Sequence, residues 1–317
     1  LRELPRKTTA HGGRFFTSSH LLGCPGVLVF LCAGATVAPV FERLSGVIKM
    51  CKKMLSPIRA GALATLATLA TLLGLGLGLG LAAGPVFADA EQIRQALANS
   101  ARPQADRQVD DQRKPAEVLA FFQIEPRMTV LDIFGGGGYY AEILSYLVGD
   151  QGFVTLYNNE AWHQYMLKDL EARLADDRLP NVDSYVADPA DLINQPDQYD
   201  AAVFVLGVHD VYVDDPDNDW PLIDRERFFK GIYKVLAPGA VLGVVDHNAM
   251  AGSDPAIVSK SLHRIDPAVI IRDLQAVGFT LEAESQLLRN PNDDLSLPMS
   301  DPAHRWQTDR SVLRFRK

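Results

Sequence analysis

Along residues 89–317, segments with the apolar pattern of strands alternate with segments that have the apolar spacing of helices. Short apolar runs rich in β-branched residues predict seven strands, over 128–134, 152–158, 182–188, 199–208, 240–247, 280–288 and 311–317. Runs with apolar residues every three or four positions predict helices over 91–101, 114–124, 139–148, 160–175, 222–236 and 266–279, whereas residues 102–113 read as a polar loop. Strands that alternate with helices of this length indicate an α/β fold, a doubly wound and mostly parallel seven-stranded sheet in a single domain.

The pattern before residue 89 is different. Met50 is followed by Lys52, Lys53 and Arg59, then by a long apolar run of low complexity, and Val86-Phe87-Ala88 ends the run with small residues. This order predicts a secretory signal peptide over residues 50–88, with an uncleaved membrane anchor as the alternative. In both cases we expect the following residues to be exported, to the bacterial periplasm. A signal peptide acts only at an N-terminus, so we expect residues 1–49 to be upstream translation.

Charge and cysteine content narrow the expected partners. Residues 1–88 hold nine Lys or Arg and two Asp or Glu, which leaves 22 basic and 37 acidic residues in 89–317, a net charge of about −15. Such an acidic chain is a poor partner for nucleic acid or an anionic membrane, and we expect a small-molecule substrate instead. All three cysteines precede residue 89, so residues 89–317 contain no disulfide, thiolate nucleophile or cysteine metal ligand.

Four consecutive glycines, in "LDIFGGGG", join the first predicted strand to the helix that begins at Tyr139. Doubly wound folds bind nucleotide-like ligands at this turn, where glycine lets the backbone approach the ligand and the helix N-terminus offers free N–H groups. The dinucleotide pattern G-x-G-x-x-G does not fit the spacing. The stretch resembles D/E-x-G-x-G-x-G of the class I S-adenosylmethionine-dependent methyltransferases, with Asp132 first, Gly136 and Gly138 as later glycines, and Phe134 in the first glycine position.

Other stretches extend this resemblance across residues 100–317. "LAPGAVLGVVDH" is similar to the entry into strand five of that superfamily, and "DLQAVGFTLEAE" to its last helix and the following strand. More narrowly, the chain resembles a group of exported bacterial methyltransferase-like proteins, on "RKPAEVLAFFQI", "GGGGYYAEIL", "VVDHNA", "SLHRIDP" and "LLRNPNDD".

The resemblance implies a cofactor, S-adenosylmethionine, and a set of residues around it. Its methionine part would be held by Asp132 and by the four glycines of the loop, Gly135, Gly136, Gly137 and Gly138. Asn158 ends the second strand, where an acidic residue usually pairs with the ribose, and Glu160 is an alternative for that contact. Asp188 matches the position that contacts the adenine amino group. Tyr139 is expected to stack on cofactor or substrate, or simply to pack at the helix start.

Five residues with acid–base chemistry follow the fourth and fifth strands. His209 and Asp210 come after one strand, Asp246 and His247 after the next, and His263 lies further on. Because the ends of parallel strands face one crevice, we expect at least two of these histidines to share a pocket. They would serve as a general base during methyl transfer. The alternatives are hydrogen bonds to loop backbone or a metal site, but the spacing matches no known metal motif.

An acidic loop offers a weaker candidate. Asp215, Asp217, Asp219 and Glu226 fall at positions 1, 3, 5 and 12 of a calcium-binding loop, yet Trp220 stands where that loop needs glycine. We therefore interpret it as a solvated acidic loop.

The sequence predicts methyl transfer from S-adenosylmethionine to an unidentified acceptor by an exported protein. That cofactor is made in the cytoplasm, so the alternative is a protein that kept the fold and lost the reaction. Such a protein would bind another small ligand or use its His/Asp residues for hydrolysis or metal binding.

Overall fold

The computed structural model describes residues 90–195, 198–218, 220–302 and 304–317. The predicted upstream segment 1–49 and the predicted signal peptide 50–88 lie outside these residues. Within the described ranges, none of the helices combines the length and the apolar character needed to cross a bilayer.

Seven strands form one sheet: β1 Thr129–Ile133, β2 Phe153–Asn158, β3 Val182–Val186, β4 Tyr199–Val205, β5 Leu236–His247, β6 Thr280–Ser285 and β7 Arg310–Arg316. Their order is β3-β2-β1-β4-β5-β7-β6. β7 runs antiparallel to both of its neighbours, and the other neighbouring strands pair in parallel. The predicted mostly parallel, seven-stranded α/β sheet is confirmed.

The described helices are α1 Ala90–Leu97, α2 Gln104–Arg107, α3 Asp110–Arg113, α4 Pro115–Phe121, α5 Tyr139–Val148, α6 Glu160–Leu174, α7 Arg225–Val235, α8 Pro255–Leu262 and α9 Pro267–Ala276. Side chains cap the starts of several helices. Asn159 accepts a hydrogen bond from the Trp162 N–H at α6. At α7, α8 and α9, an N–H of the first turn donates in the same way to Asp224, Asp254 and Asp266, respectively. Each cap satisfies an N–H that a helix leaves without an internal partner. Short 3₁₀ helices cover Ala175–Asp177, Pro189–Asn194, His209–Tyr212 and Pro216–Asn218.

Three parts of the secondary structure differ from the sequence prediction. Residues 102–113 contain the one-turn helices α2 and α3 instead of a continuous loop. Helix α8 was not predicted, because it buries only Ser259 and so lacks an apolar stripe. β5 begins at Leu236 rather than at residue 240, since Leu236 already pairs with Tyr199 before a register shift.

Apolar layers cover both faces of the sheet. On one face, Leu131 and Ile133 of β1 pack with Phe228 of α7 and Ile270 of α9. On the other, the buried apolar residues of α1, α4 and α5 pack against alternate residues of the same strands. The carboxyl ends of β1, β4 and β5 are thereby held together at one edge, where the candidate site lies.

Gly243, in the middle of β5, determines how closely the segment after α4 packs on the sheet. A Cβ atom built at this position lies only 2.3 Å from ring atoms of Phe122, which is fully buried. A larger residue at either position would therefore force the layer away from the sheet.

We expect Gly243→Ala to lower the free energy of unfolding by about 1–3 kcal/mol, the usual cost of overpacking a core. Urea denaturation of the wild type, Gly243→Ala, Phe122→Ala and the double variant measures this cost and its origin. Because alanine at position 122 removes the Cγ and Cδ atoms that the new Cβ would meet, the double variant should lose less stability than the sum of the single variants. Additive losses would show that the Gly243–Phe122 contact is not the source.

Candidate functional site

The loop between β1 and α5 consists of Phe134 followed by the four glycines. Phe134 adopts a left-handed backbone conformation, with φ of +48°, and its side chain is buried. Its ring stacks on Phe228 with 5.4 Å between centroids and meets the edge of Phe204 at 5.5 Å. The aromatic residue in the first glycine position therefore anchors the loop to the core through its side chain.

Two of the glycines are required by side chains of the protein itself. A Cβ at Gly135 would lie 2.6 Å from a carboxylate oxygen of Asp132. A Cβ at Gly138 would lie 2.6 Å from Cδ of Arg173, and Gly138 also has a φ of +83° that favours glycine. The bare backbone at these two positions makes room for Asp132 and Arg173.

Asn158 holds the centre of the loop. Its Oδ1 accepts the Gly136 N–H at 3.0 Å, and its Nδ2 donates to the Gly136 carbonyl at 3.1 Å. The side chain is fully buried. The ribose contact expected of Asn158 is not supported by this geometry, because the amide is directed at the loop backbone.

Helix α6 lies across the glycine loop. Arg173 donates through Nε to the Gly137 carbonyl and through Nη1 to Asp106 at 2.8 Å, and it also bonds the buried carboxylate of Glu142. Arg178 is a second partner of Glu142. These ion pairs join α6, α5 and the one-turn helix α2 around the loop, so the segment before β1 forms a wall of the site.

Asp132, near the end of β1, is only 1% exposed, and its Oδ2 has no hydrogen-bond partner among the described residues. Burial raises the pKa of this carboxyl to about 7, although the Ala141 N–H and the charges of Arg113 and Arg173 oppose the shift. Asp132 therefore changes its protonation state close to neutral pH.

A cavity of about 880 Å³ opens beside the loop. Asp132 and Gly135–Gly137 line it from the sheet side, together with Val205 and Leu206 after β4. Its volume lies in the range of small-molecule and cofactor sites. A second cavity of about 510 Å³, between α7 and α9, contains none of the predicted cofactor or acid–base residues.

The predicted cofactor residues divide into two groups. Asp132, Gly135, Gly136, Gly137 and Tyr139 line the cavity.

Outside its lining are Gly138, Asn158, Glu160 and Asp188. Glu160 is exposed and accepts a hydrogen bond from Gln164, and Asp188 is exposed and caps the 3₁₀ helix at Ala190. For Glu160 and Asp188 the structure thus shows ordinary local roles, and it places neither in the cavity.

Several residues that line the cavity were missed by sequence reasoning. The guanidinium of Arg113 lies 4.3 Å from the ring centroid of Tyr139 and 5.1 Å from that of Trp306. Trp162 and Tyr165 of α6 also face the cavity. These residues come from segments far apart in the sequence, and their residue types alone do not indicate that they line a common cavity.

The five predicted acid–base residues come together at the carboxyl ends of β4 and β5. The ring centroids of His209 and His263 are 5.5 Å apart, and those of His209 and His247 are 6.1 Å apart. Asp246 contacts Nδ1 of His209 at 2.7 Å, and Asp210 lies 3.3 Å from its Nε2. His209 therefore lies close to both other histidines, whereas their sharing of one pocket and their chemical role stay predictions.

The two buried histidines have opposite electrostatic environments. Burial alone would lower the pKa of His209, but the charges of Asp210 and Asp246 raise it to about 9. Burial and the neighbouring positive charge of His209 lower the pKa of His247 well below its usual value. Of the five residues only His247 lines the cavity, and its Nε2 has no hydrogen-bond partner among the described residues.

The described residues of the acidic loop show local pairing. Asp215 and Trp220 pair with each other through backbone hydrogen bonds, and Asp215 forms an ion pair with Lys260. Asp219, one of the template positions, lies outside the described residues.

The raised pKa of Asp132 predicts a specific pH dependence of stability. Asp132 binds a proton more tightly in the folded than in the unfolded protein, so its contribution to stability is lost as pH rises from about 4 to about 7. Relative to the wild type, Asp132→Asn should gain up to about 1.4 kcal/mol per pH unit across this window and nothing further above it. Urea denaturation of both proteins at pH 4.5 to 8.5 measures the difference. A difference that does not vary with pH would show that the folded carboxyl is ionised throughout.

Sequence comparisons relate this chain to methyltransferases. The family model of protein-L-isoaspartate(D-aspartate) O-methyltransferase matches residues 86–212. The ubiquinone/menaquinone biosynthesis C-methyltransferase UbiE of Shewanella frigidimarina is 32% identical over 123 residues, which cover 38% of this chain and 43% of that protein. The chain thus spans less than half the length of the curated relatives it matches.

Solved structures with a similar arrangement include a SAM-dependent methyltransferase from Aquifex aeolicus. It is 17% identical, with a TM-score of 0.48, over 72% of this chain and 98% of that one. Another is Aeropyrum pernix fibrillarin with natively bound S-adenosyl-L-methionine, 12% identical with a TM-score of 0.39, over 61% of this chain and 67% of that one. The sequence matches thus show similarity to methyltransferases over less than half of this chain.

Proposed function

We propose that this protein transfers a methyl group from S-adenosylmethionine to an acceptor that is not yet identified. The observation that carries the proposal is the cavity at the carboxyl ends of β1 and β4, with the glycine loop and Asp132 in its wall. Ligands of doubly wound sheets bind at this edge. The similarity of residues 86–212 to methyltransferases supports the choice of cofactor.

The chemistry of the cavity suits the parts of this cofactor. Asp132 would pair with the ammonium group of the methionine tail. Arg113, whose buried Nε has no hydrogen-bond partner among the described residues, would pair with the tail carboxylate. The indole and phenol rings of Trp162 and Tyr165 offer flat apolar surfaces for adenine. Asn158, Glu160 and Asp188 are not needed for this arrangement.

His247 is the proposed proton acceptor for the methyl acceptor. It lines the cavity, its Nδ1 lies 2.7 Å from the Thr308 hydroxyl, and its Nε2 has no partner in the described parts of the chain. A base must reach the attacking atom, and of the five acid–base residues His247 is the one in the cavity wall. His209, Asp210 and His263 lie outside that wall.

We further propose that the protein is exported through residues 50–88. The support is the order of basic, apolar and small residues in that segment and the absence of cysteine from residues 89–317.

We expect the full chain, expressed in a Gram-negative bacterium, to be recovered from the periplasm with a new N-terminus near residue 89. Cell fractionation followed by N-terminal sequencing tests this. A variant with Lys52, Lys53 and Arg59 changed to Glu should stay in the cytoplasm and remain uncleaved, because the positive flank orients the segment. Cytoplasmic recovery of the unchanged chain with residues 50–88 intact would contradict export.

Cofactor binding is the direct test of the proposed reaction. We expect the full chain to bind S-adenosylmethionine and S-adenosylhomocysteine in isothermal titration, with Asp132→Asn weakening both at least tenfold through loss of the charge on the ammonium partner. Asp183→Asn is the matched control, because Asp183 is an exposed carboxylate on β3 away from the cavity. Binding by none of the proteins at millimolar cofactor would refute methyl transfer and favour another ligand. Equal binding by all three would refute the role of Asp132.

A further inference from the structure

His209, Asp210 and His263 form a compact cluster next to the proposed cofactor cavity. The candidate ligand atoms of these residues all lie within 4.8 Å of one another. Asp210 Oδ1 is 3.3 Å from Nε2 of His209 and 3.8 Å from Nδ1 of His263. Ligand atoms about 2.0–2.2 Å from one ion are separated from each other by roughly 3–4.4 Å, so these separations suit a shared ion after a small rotation of His263.

One oxygen of the buried Asp210 carboxylate has no hydrogen-bond partner among the described residues. Its side chain is 7% exposed, yet Oδ2 has no hydrogen bond from any described residue. A buried carboxylate oxygen without a partner is costly, and proteins normally pair it with a donor or an ion. A cation held between Asp210 and the two imidazoles would remove this cost.

Asp246 orients His209 for such a role. One of its oxygens contacts Nδ1 of His209 at 2.7 Å, and the other accepts the His209 backbone N–H at 2.9 Å. An ionised carboxylate can only accept, so Nδ1 carries a proton, and Nε2, on the Asp210 side, would bind an ion by giving up its own proton. A carboxylate behind a histidine in this way is the usual support for a histidine metal ligand.

His263 closes the cluster from the solvent side. It follows the last turn of α8 with a φ of +50°, a conformation uncommon for residues other than glycine. Its side chain is half exposed, whereas those of His209 and Asp210 are almost completely buried. The cluster therefore has two buried ligands and one at the surface, which leaves a route for an ion to enter.

We propose that His209 Nε2, Asp210 and His263 bind one divalent first-row transition metal ion, with Asp246 as the positioning residue behind His209. Two imidazoles and one carboxylate favour such an ion, for example Zn²⁺, over Mg²⁺ or Ca²⁺, which prefer oxygen ligands throughout. Three protein ligands leave a coordination position for water or a substrate oxygen. This proposal departs from the sequence interpretation, which favoured no metal, and it does not depend on the proposed methyl transfer.

Metal binding by the full chain, purified without a polyhistidine tag, tests the proposal. After dialysis against a chelator, we expect competition with a chromophoric chelator to show one Zn²⁺ per chain, and Co²⁺ to give the visible absorption of a protein-bound ion. His263→Asn should weaken Zn²⁺ binding at least tenfold, because it removes a ligand at the surface while asparagine tolerates the left-handed backbone. Asp246→Asn should weaken it 10- to 100-fold.

His163→Asn, on helix α6 and outside the cluster, is the matched control and should bind Zn²⁺ like the wild type. Circular dichroism verifies that each variant is folded, and the same concentration of Zn²⁺ should raise the Tm of the wild type by more than that of His263→Asn. Less than 0.2 equivalents of bound Zn²⁺ in the wild type, or equal affinity in His263→Asn and His163→Asn, would overturn the proposal.

Discussion

The two hydrogen bonds between the Asn158 side chain and the Gly136 backbone fix the glycine loop, and the cavity beside it depends on that position. Asn158 ends β2 and Gly136 follows β1, so the pair locks the ends of two neighbouring strands. An amide is suited to this task, because it donates and accepts at once without bringing a charge into a fully buried position. The loop is thus shaped before any ligand arrives, which lowers the cost of ordering it on binding.

The strands and most helices were predictable because each buries its apolar side chains in a pattern that is visible in the sequence. β1, β2 and β4 are buried on both faces and read as continuous apolar runs, as parallel strands do. Helix α8 escaped prediction because it contributes almost nothing to the core. The usable signal was its start, Asp254-Pro255-Ala256, which repeats as Asp266-Pro267-Ala268 at α9.

For the site, sequence reasoning succeeded where chain order determines position. Asp132 and three of the glycines reach the cavity because they follow the first strand, and the histidines meet because they follow adjacent strands. Sequence reasoning failed where the direction of a side chain determines whether that side chain reaches the cavity. Nothing in the sequence shows that Asn158 turns toward the loop. Arg113 reaches the cavity from the segment before β1, and Trp306 reaches it from the segment between β6 and β7. No local pattern in the sequence reports such long-range contacts.

The antiparallel strand β7 has a consequence for how the chain is made. It is the last of the seven strands in the sequence, yet it lies between β5 and β6. Until residues 310–316 leave the ribosome, β5 has an unpaired edge and β6 has no neighbour to hold it, so the nascent polypeptide cannot complete its hydrogen-bonded ladder. Thr308, which touches His247, arrives at the same late moment. Synthesis through residue 316 therefore precedes formation of both the native sheet and the environment of that histidine.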